Sequence, residues 1–265
     1  MPSESNNLIR IRQQLRENWT KRENRFDEPK EITISKLNSK KLLPNLNKAK
    51  FRFTNVSLFS ITPIDQAIYT YYLISCFIET DDKVLTEANG CIGGNTWVFA
   101  TKFKHVNTIE LSKLHYEILQ HNMELYGFNN ISYYNGNCID YIFDLQSDIM
   151  FFDPPWGGIN YKSRDRRLGY LYRGHFFTID LIVTDKYFSK NCKLLVIKLP
   201  LKYNMFYVKK NNKFTYYQVF TIRTKNRPIY KLIFLSNNRP IKEIREKFVS
   251  ELNYKKIEFK IRDFK

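Results

Sequence analysis

The residues best suited to chemistry lie in one short run, Asp153-Pro154-Pro155-Trp156-Gly157-Gly158. Two consecutive prolines fix the backbone and remove two N–H donors, so nearby carbonyl oxygens remain as hydrogen-bond acceptors. The Asp153 carboxylate adds another acceptor, Trp156 offers a flat face to a base, and the two glycines allow close approach. This combination suits an exocyclic –NH2 group, which has two hydrogens to donate, whereas a rigid proline turn needs neither the acid nor the tryptophan.

A glycine-rich segment and a second acid accompany this run. The segment Glu87-Ala88-Asn89-Gly90-Cys91-Ile92-Gly93-Gly94-Asn95 follows a predicted strand. Its glycines let the backbone approach a ligand, and a helix that begins near Asn95 points its N-terminus at that ligand. Glu110 ends the next predicted strand, where a carboxylate can accept both hydroxyls of a ribose. Each signal is weak alone, because many glycine turns bind other ligands or none, and an acid there can serve only the helix dipole.

The elements that must position these residues alternate between strand and helix. Strands are predicted at 83–88, 105–110, 131–134, 148–152 and 193–199, helices at 8–21, 63–79, 111–126, 179–188 and 239–254, and a closing hairpin at 216–222 and 230–235. Such alternation implies an α/β fold whose mostly parallel sheet is covered by helices on both faces. The three motifs then follow three of its strands, at the edge where open α/β sheets bind ligands.

Three parts of the chain are predicted. Residues 1–80 form a mainly helical N-terminal extension that contributes to the site, residues 81–238 the catalytic core, and residues 239–265 a basic helix and tail. Hydrophobic residues make up 43% of the chain, which is enough for a packed core and excludes wholesale disorder.

The charge of the chain favours a polyanionic partner. The formal net charge is +17, from 43 Lys and Arg against 26 Asp and Glu. Residues 198–231 contain no acid, but hold Lys198, Lys202, Lys209, Lys210, Lys213, Arg223, Lys225, Arg227 and Lys231 among many aromatic residues. A second basic cluster spans residues 162–173. Cations that neutralise phosphates and aromatic faces that stack on bases indicate a nucleic acid, although an AT-rich coding sequence would also enrich lysine and the aromatic residues.

Other features exclude several classes. The four cysteines are far apart and form no CxxC pair, so we expect free thiols in a reducing, intracellular compartment and no zinc site. No apolar run approaches the roughly 20 residues that cross a bilayer, and residues 1–16 lack the apolar stretch of a signal peptide. We therefore expect no membrane segment and no metal.

Together these residues resemble the trimethylguanosine synthases, which methylate the guanine of RNA caps. The most distinctive match is Pro154-Pro155-Trp156-Gly157-Gly158 with Tyr161, in a motif usually written Ser-Pro-Pro-Trp-Gly-Gly. Further matches over residues 18–235 are Asn18-Trp19-Thr20-Lys21-Arg22 with Phe26-Asp27, Leu58-Phe59-Ser60-Ile61-Thr62-Pro63, Gly93-Gly94-Asn95-Thr96 with Phe99-Ala100, and Asn122 with Tyr126-Gly127.

The resemblance implies a class I, Rossmann-like methyltransferase that uses S-adenosylmethionine. The implied cofactor-binding residues are Phe59, Thr62, Pro63, Glu87, Gly93, Asn95, Glu110, Asn137 and Asp153. By this resemblance the ribose would lie on Glu110, the methionine end near Glu87 and the adenine amine opposite Asn137.

The resemblance also implies the substrate, the 7-methylguanosine cap of RNA, and a monomeric enzyme that acts in the nucleus of a cell or in the cytoplasm for a virus. Trp156 would stack on the cationic 7-methylguanine, while Asp153 and the Pro154 carbonyl would orient its amine. Tyr161, Arg52 and Lys202 would lie at or near the cap triphosphate.

The sequence departs from the family pattern in three places, which keep two alternatives open. Asp153 stands where Ser is usual, Cys91 where the loop has Gly, and Glu87 and Asn137 where Asp is expected. The Asp-Pro-Pro-Trp order is also typical of adenine-amine methyltransferases, which extrude their target base or use single strands. The second alternative is a non-catalytic cap- or RNA-binding protein on a methyltransferase scaffold.

Overall fold

The computed structural model describes residues 29–32, 42–44, 50–156, 168–224, 226–242 and 244. Its strands are β1 (Glu31–Ile32), β2 (Phe53–Thr54), β3 (Val84–Glu87), β4 (His105–Glu110), β5 (Ile131–Asn135), β6 (Ile149–Phe152), β7 (Gly169–Tyr172), β8 (His175–Thr178), β9 (Leu194–Pro200), β10 (Tyr216–Thr224) and β11 (Arg227–Ser236). Its α-helices are α1 (Ser57–Ser60), α2 (Ile64–Ser75), α3 (Gly94–Lys102), α4 (Lys113–Glu124), α5 (Ile179–Thr184), α6 (Lys186–Asn191) and α7 (Phe206–Asn211).

Seven strands form the central sheet, in the order β10-β11-β9-β6-β3-β4-β5. β3, β4, β5, β6 and β9 are parallel, and β11 pairs antiparallel with both β9 and β10. The chain proceeds from β3 outward to β5 and then returns to β6 on the other side of β3. This reversal leaves a crevice at the carboxyl ends of β3 and β6, which is where open α/β sheets bind ligands.

Helices cover both faces of this sheet. On one face, Phe152 and Leu195 of the sheet pack with α5 and with α6, which contributes Phe188. On the opposite face, Phe151 packs with α2 and with α3, which contributes Phe99. Because both faces are buried, β6 reads Ile-Met-Phe-Phe and β9 is apolar at every position except Lys198. The predicted α/β class with a mostly parallel sheet and a closing hairpin is confirmed.

The structure differs from the predicted elements in several places, and β1, β2 and α1 are among the elements that were not predicted. The predicted helix at 179–188 is two helices, because Asp185 takes an extended backbone and its side chain accepts the Tyr187 N–H to start α6. The β7–β8 hairpin and α7 were not predicted. Residues 239–242, the start of the predicted last helix, are not helical; apart from residue 244 the remainder of that helix lies outside the described residues, as does the helix predicted at 8–21.

Among the described residues, no helix is both long and apolar enough to cross a membrane. All four cysteines are free thiols, as predicted.

Candidate active site

The three acids of the sequence motifs lie at one edge of the sheet, because β3, β4 and β6 are adjacent and parallel. Glu87 ends β3, Glu110 ends β4, and Asp153 follows β6 directly. The Ala88 N–H donates to the Phe151 carbonyl at 2.9 Å, and the Gly90 N–H to the Ile109 carbonyl at 2.9 Å. These two bonds hold the glycine loop between β6 and β4.

Close packing explains two glycines of this loop. Gly93 has a φ of 103°, which L side chains rarely adopt, and directly precedes α3. A Cβ on Gly94 would lie 2.6 Å from the carbonyl oxygen of Thr62. The loop therefore touches the backbone of the segment that leads into α2, and that segment forms one wall of the crevice.

Cys91 occupies the left-handed region with a φ of 50° although it is not glycine. Its backbone N–H donates to Glu110 Oε2 at 2.8 Å, and its sulfur lies 3.2 Å from Ser60 Oγ. Burial raises the pKa of the thiol to about 12, so the side chain stays protonated at neutral pH. A side chain in this region costs roughly 1–2 kcal/mol relative to glycine.

Glu110 is held by the backbone on two sides. Oε2 accepts from Cys91 and Oε1 accepts the Ser112 N–H at 2.9 Å, while 12% of the side chain stays exposed. Burial raises the pKa of the carboxyl to about 7 despite these donors. His115 Nδ1 lies 3.9 Å from Oε1, but burial lowers the pKa of His115 to about 4, so this imidazole is neutral and makes no ion pair at neutral pH.

Glu87 lies beneath the loop and is fully buried. Its Oε2 accepts from the Thr96 hydroxyl at 2.6 Å and the Thr108 hydroxyl at 3.2 Å. Burial raises the pKa of the carboxyl to about 8. Oε1 of Glu87 and Oδ1 of Asn95 are buried acceptors that receive no hydrogen bond of normal geometry from the described residues. Two such acceptors beside the loop fit a ligand group that donates hydrogens, such as an ammonium.

Asp153 forms a buried ion pair. Lys198 Nζ lies 2.7 Å from Asp153 Oδ2 and also donates to Thr62 Oγ1 at 2.8 Å. The side chains of the two charged residues are 15% and 8% exposed. Burial raises the pKa of Asp153, and the ammonium of Lys198 opposes that rise. The lysine therefore belongs to the site and not to the basic surface that the acid-free run of residues 198–231 suggested.

Two aromatic rings stand beside this pair. The rings of Trp156 and Tyr230 meet edge to face with centroids 6.3 Å apart. Lys198 Nζ lies 5.8 Å from the Trp156 ring centroid and 4.9 Å from that of Tyr230. Pro154 is buried and Pro155 is exposed. Gly157, Gly158 and Tyr161, also part of the predicted motif, lie outside the described residues.

The residues predicted to line the adenine end lie around Glu110 and the glycine loop. Phe59 is 72% exposed, whereas Thr62 is buried and Pro63 is half-buried directly before α2. Asn137 accepts the Ile139 N–H through Oδ1 at 3.1 Å and donates to the Leu171 carbonyl at 2.7 Å. Its amide is thus already bonded, and only the remaining lone pair of Oδ1 is left for an amine.

The sequence interpretation missed several residues of this site. Lys198 and Tyr230 flank Asp153 and Trp156, and Leu111 next to Glu110 and Leu171 next to Asn137 are exposed apolar side chains at 66% and 53%. Leu111 could have been identified from the sequence, because an apolar residue directly after an acid at a strand end is placed to contact the ligand that the acid binds. Nothing in the sequence around Tyr230 indicated that it would lie in the site.

Of the residues predicted for phosphate binding, the structure describes Arg52 and Lys202. Arg52 makes two bonds to Glu31, at 2.8 and 2.7 Å, and this pairing raises the pKa of the guanidinium. Lys202 is exposed just after β9. Among the described residues, no group of three or more His, Cys, Asp or Glu is arranged to hold a metal.

Residues 82–205 match the family model described as RNA cap guanine-N2 methyltransferase. The chain is 39% identical over 129 residues to "Uncharacterized protein L320" of Acanthamoeba polyphaga mimivirus, covering 47% of this chain and 48% of that protein. It is 30% identical over 115 residues to trimethylguanosine synthase of Schizosaccharomyces pombe, covering 41% of this chain and 47% of that protein. The chain thus spans about half the length of the curated relatives it matches.

A solved structure from Porphyromonas gingivalis W83, assigned as a methyltransferase, superposes with a TM-score of 0.53 at 13% identity, over 71% of this chain and 44% of that one. This likeness supports the methyltransferase fold alone. The matched segment contains the glycine loop, Glu110, Asp153 and Trp156, the residues on which the resemblance rests. Residues 82–205 of this chain are thus similar to the RNA cap guanine-N2 methyltransferase family.

Proposed function

We propose that the chain transfers a methyl group from S-adenosylmethionine to the exocyclic amine of 7-methylguanosine in RNA caps. The observation that carries the proposal is the Asp153 carboxylate, paired with Lys198 and adjacent to Trp156 at the carboxyl end of β6. It lies in the most distinctive motif of the family, inside the matched segment. A carboxylate beside a flat aromatic wall suits an amine on a planar base.

The cofactor fits the crevice by the chemistry of its lining. The partly exposed Glu110 carboxyl offers acceptors for two ribose hydroxyls, and the unsatisfied oxygens of Glu87 and Asn95 offer acceptors for an amino group. Phe59 and Leu111 supply exposed apolar faces beside the loop for a purine. Asn137 Oδ1 retains one lone pair for the adenine amine.

S-adenosylmethionine supplies an electrophilic methyl group on a sulfonium. The chain supplies alignment and charge. The guanine amine is a poor nucleophile because its lone pair is delocalised, so an acceptor that stabilises positive charge on the nitrogen lowers the barrier. Asp153 is that acceptor in our proposal, and it or water receives the amine proton.

Recognition of the base falls to Trp156. A 7-methylguanine ring carries a positive charge, and an indole face attracts a cation more strongly than it attracts a neutral ring. The Asp153–Lys198 pair beside the ring is neutral overall, so the base meets no net repulsion from the wall. We propose that RNA beyond the cap contacts the exposed cations that follow β9, namely Lys202, Lys209, Lys210 and Lys213.

A methyl-transfer assay with three acceptors tests the proposal. 7-methylguanosine triphosphate should accept methyl groups, unmethylated GTP should accept them much more slowly, and adenine-containing single-stranded DNA should not accept them. Transfer to adenine without transfer to 7-methylguanosine would assign the Asp-Pro-Pro-Trp motif to adenine chemistry. Cap binding without S-adenosylmethionine binding, each measured by calorimetry, would identify a binding module and contradict an enzyme.

A further inference from the structure

Lys198 is a buried charge in an otherwise apolar strand. Six of the seven residues of β9 are buried, and Lys198 itself is 6% exposed. Both neighbours of β9 in the sheet, β6 and β11, contribute to its surroundings. A buried ammonium without a partner is strongly unfavourable, so the contacts of Lys198 must offset the free-energy cost of removing its charge from water.

The ammonium is satisfied by three segments of the fold. It donates to Thr62 Oγ1 before α2 and to Asp153 Oδ2 after β6, and it lies 4.9 Å from the Tyr230 ring centroid on β11. The Trp156 ring also lies beside the ammonium, with its centroid 5.8 Å from Lys198 Nζ. Lys198 thus joins the cofactor-side wall, the acidic end of β6 and the aromatic wall, which are the three sides of the proposed amine site.

Apart from Lys198, the described titratable groups that face Asp153 can gain only negative charge, which would oppose its ionisation. Glu87 on β3 and the Cys91 thiol in the glycine loop become negative when they ionise, and so do Tyr170 on β7 and Tyr230 on β11. Burial acts in the same direction. Lys198 is the one cation among the described residues that interacts with this carboxyl.

We propose that Lys198 is a positioning residue of the methyl-transfer site, which holds the Asp153 carboxylate ionised and in one orientation toward the acceptor amine. The inference rests on the proposed function, because it gives Asp153 the role of amine acceptor. An ionised acceptor stabilises the charge that develops on the amine nitrogen, whereas a protonated carboxyl does not.

The ion pair itself is tested by unfolding, without any activity. Lys198→Met should lower the melting temperature by about 6 °C or more, because it leaves a buried carboxylate unpaired. Asp153→Asn together with Lys198→Met should recover part of this loss. The matched control is Lys193→Met, because Lys193 pairs with Asp148 at 2.7 Å at the other end of the same two strands, with 56% of the lysine side chain exposed. That change should cost about 2 °C or less.

The positioning role is tested by the pH profile of kcat/KM with 7-methylguanosine triphosphate. Without Lys198, Asp153 stays protonated to higher pH, so the acid limb for Lys198→Met should move up by at least about one pH unit, a loss of about tenfold at any pH on that limb. Raising the pH should restore activity, and Lys198→Arg should keep most of it. The profile is repeated in Glu87→Gln at saturating cofactor, since burial raises the pKa of Glu87 to about 8.

The outcomes separate the two proposals. In one outcome, the wild-type protein methylates 7-methylguanosine and Lys198→Met lowers kcat/KM by the same factor at every pH. This result would overturn the positioning role and leave the proposed function intact. A wild-type protein that methylates no base would overturn the function and, with it, the role toward an amine. The unfolding cycle would then still decide whether the pair is a structural one.

Discussion

The backbone N–H of Cys91 donates to Oε2 of Glu110 at 2.8 Å. This hydrogen bond links the glycine loop after β3 to the acid that ends β4. The conformation of the loop therefore determines where the carboxylate points. Cys91 maintains this shape with a φ of 50°. The resemblance to the trimethylguanosine synthases places a glycine at this position, so the loop keeps the glycine conformation with a residue that is strained by it.

Cys91→Gly should therefore stabilise the protein relative to Cys91→Ala by about 1 kcal/mol, because alanine retains the Cβ that the left-handed region disfavours. For a chain of this length the difference is about 2–4 °C in melting temperature. Both variants lose the thiol and its contact with Ser60, so the comparison isolates the backbone. Equal melting temperatures for the two variants would show that Cys91 is not strained.

Cofactor affinity should rise with pH through neutrality. Burial raises the pKa of Glu110 to about 7, so half of the carboxyl groups are protonated near pH 7 in the free protein. Ribose hydroxyls donate to the ionised form, so binding favours ionisation. Below the pKa, affinity should fall by up to about tenfold per pH unit, which calorimetry between pH 5.5 and 8 can measure.

Glu110→Gln should bind S-adenosylmethionine more weakly above pH 7 and should lose this pH dependence between pH 6 and 7 when both proteins carry Glu87→Gln, because Glu87 has a pKa raised to about 8 and would also titrate. His115 does not titrate in this interval, because burial lowers its pKa to about 4. A wild-type affinity that is flat across the interval would remove Glu110 from the cofactor site.

Much of this site could be predicted because each acid ends a strand with a strong local pattern. β4 was predicted at its observed bounds, β3 differs by one residue at each end, and β6 differs by one residue at its start. Glu87, Glu110 and Asp153 then share an edge simply because parallel strands end together. This prediction uses only the alternation of strands and helices and does not require knowing which side chains meet.

What the sequence did not predict depends on contacts between distant residues. Lys198 looks like one cation in a basic run, and its burial becomes visible only when β9 is covered on both faces and paired with β6. Arg52 looks available for phosphates until β1 brings Glu31 beside it. The β7–β8 hairpin turns through Arg173 and Gly174, with φ values of 47° and 78°. Arginine is not a usual residue for such a turn, so the hairpin had no clear signal.

Asp153→Asn should reduce turnover by roughly a hundredfold, since the loss of an aligned acceptor in a transition state costs about 3 kcal/mol. Cofactor affinity should change much less, because Asp153 follows a different strand from Glu110, the acid that we propose binds the ribose. Single-turnover rates and calorimetry on the same variant separate the two effects. Near-normal turnover in this variant would contradict the role of Asp153.

Affinity for capped RNA should fall steeply as salt increases. Among the described residues of the acid-free run, six cations are exposed: Lys202, Lys209, Lys210, Lys213, Arg223 and Arg227. Each phosphate contact on a single strand adds roughly 0.7 to the slope of log affinity against log salt. Lys209→Ala with Lys210→Ala should therefore reduce the slope by up to about 1.4.

The control for this measurement is Lys190→Ala with Lys193→Ala, because these exposed lysines lie near the start of β9, at the edge opposite the site. This pair should leave the slope unchanged. A slope near zero for the wild type would mean that the protein recognises the cap alone and that its positive charge reflects composition.

The choice of base should depend on Trp156. Stacking on a cationic purine adds cation–π attraction to dispersion, and desolvated pairs of this kind contribute about 2 kcal/mol. The protein should therefore prefer 7-methylguanosine triphosphate to GTP by roughly thirtyfold in affinity. Trp156→Ala should remove most of the preference and Trp156→Phe should retain part of it.

Tyr230 provides the matched comparison, because its ring meets Trp156 edge to face and contacts Lys198. Tyr230→Phe keeps the ring and should preserve the preference, so a loss in Trp156→Ala cannot be attributed to a general disturbance of the aromatic wall. Fluorescence titration of the two nucleotides measures the affinities, with a background from Trp19 and Trp97. A neutral adenine gains nothing from this attraction. Equal affinities for 7-methylguanosine triphosphate and GTP, together with methyl transfer to adenine, would therefore contradict the proposal that the substrate is an RNA cap.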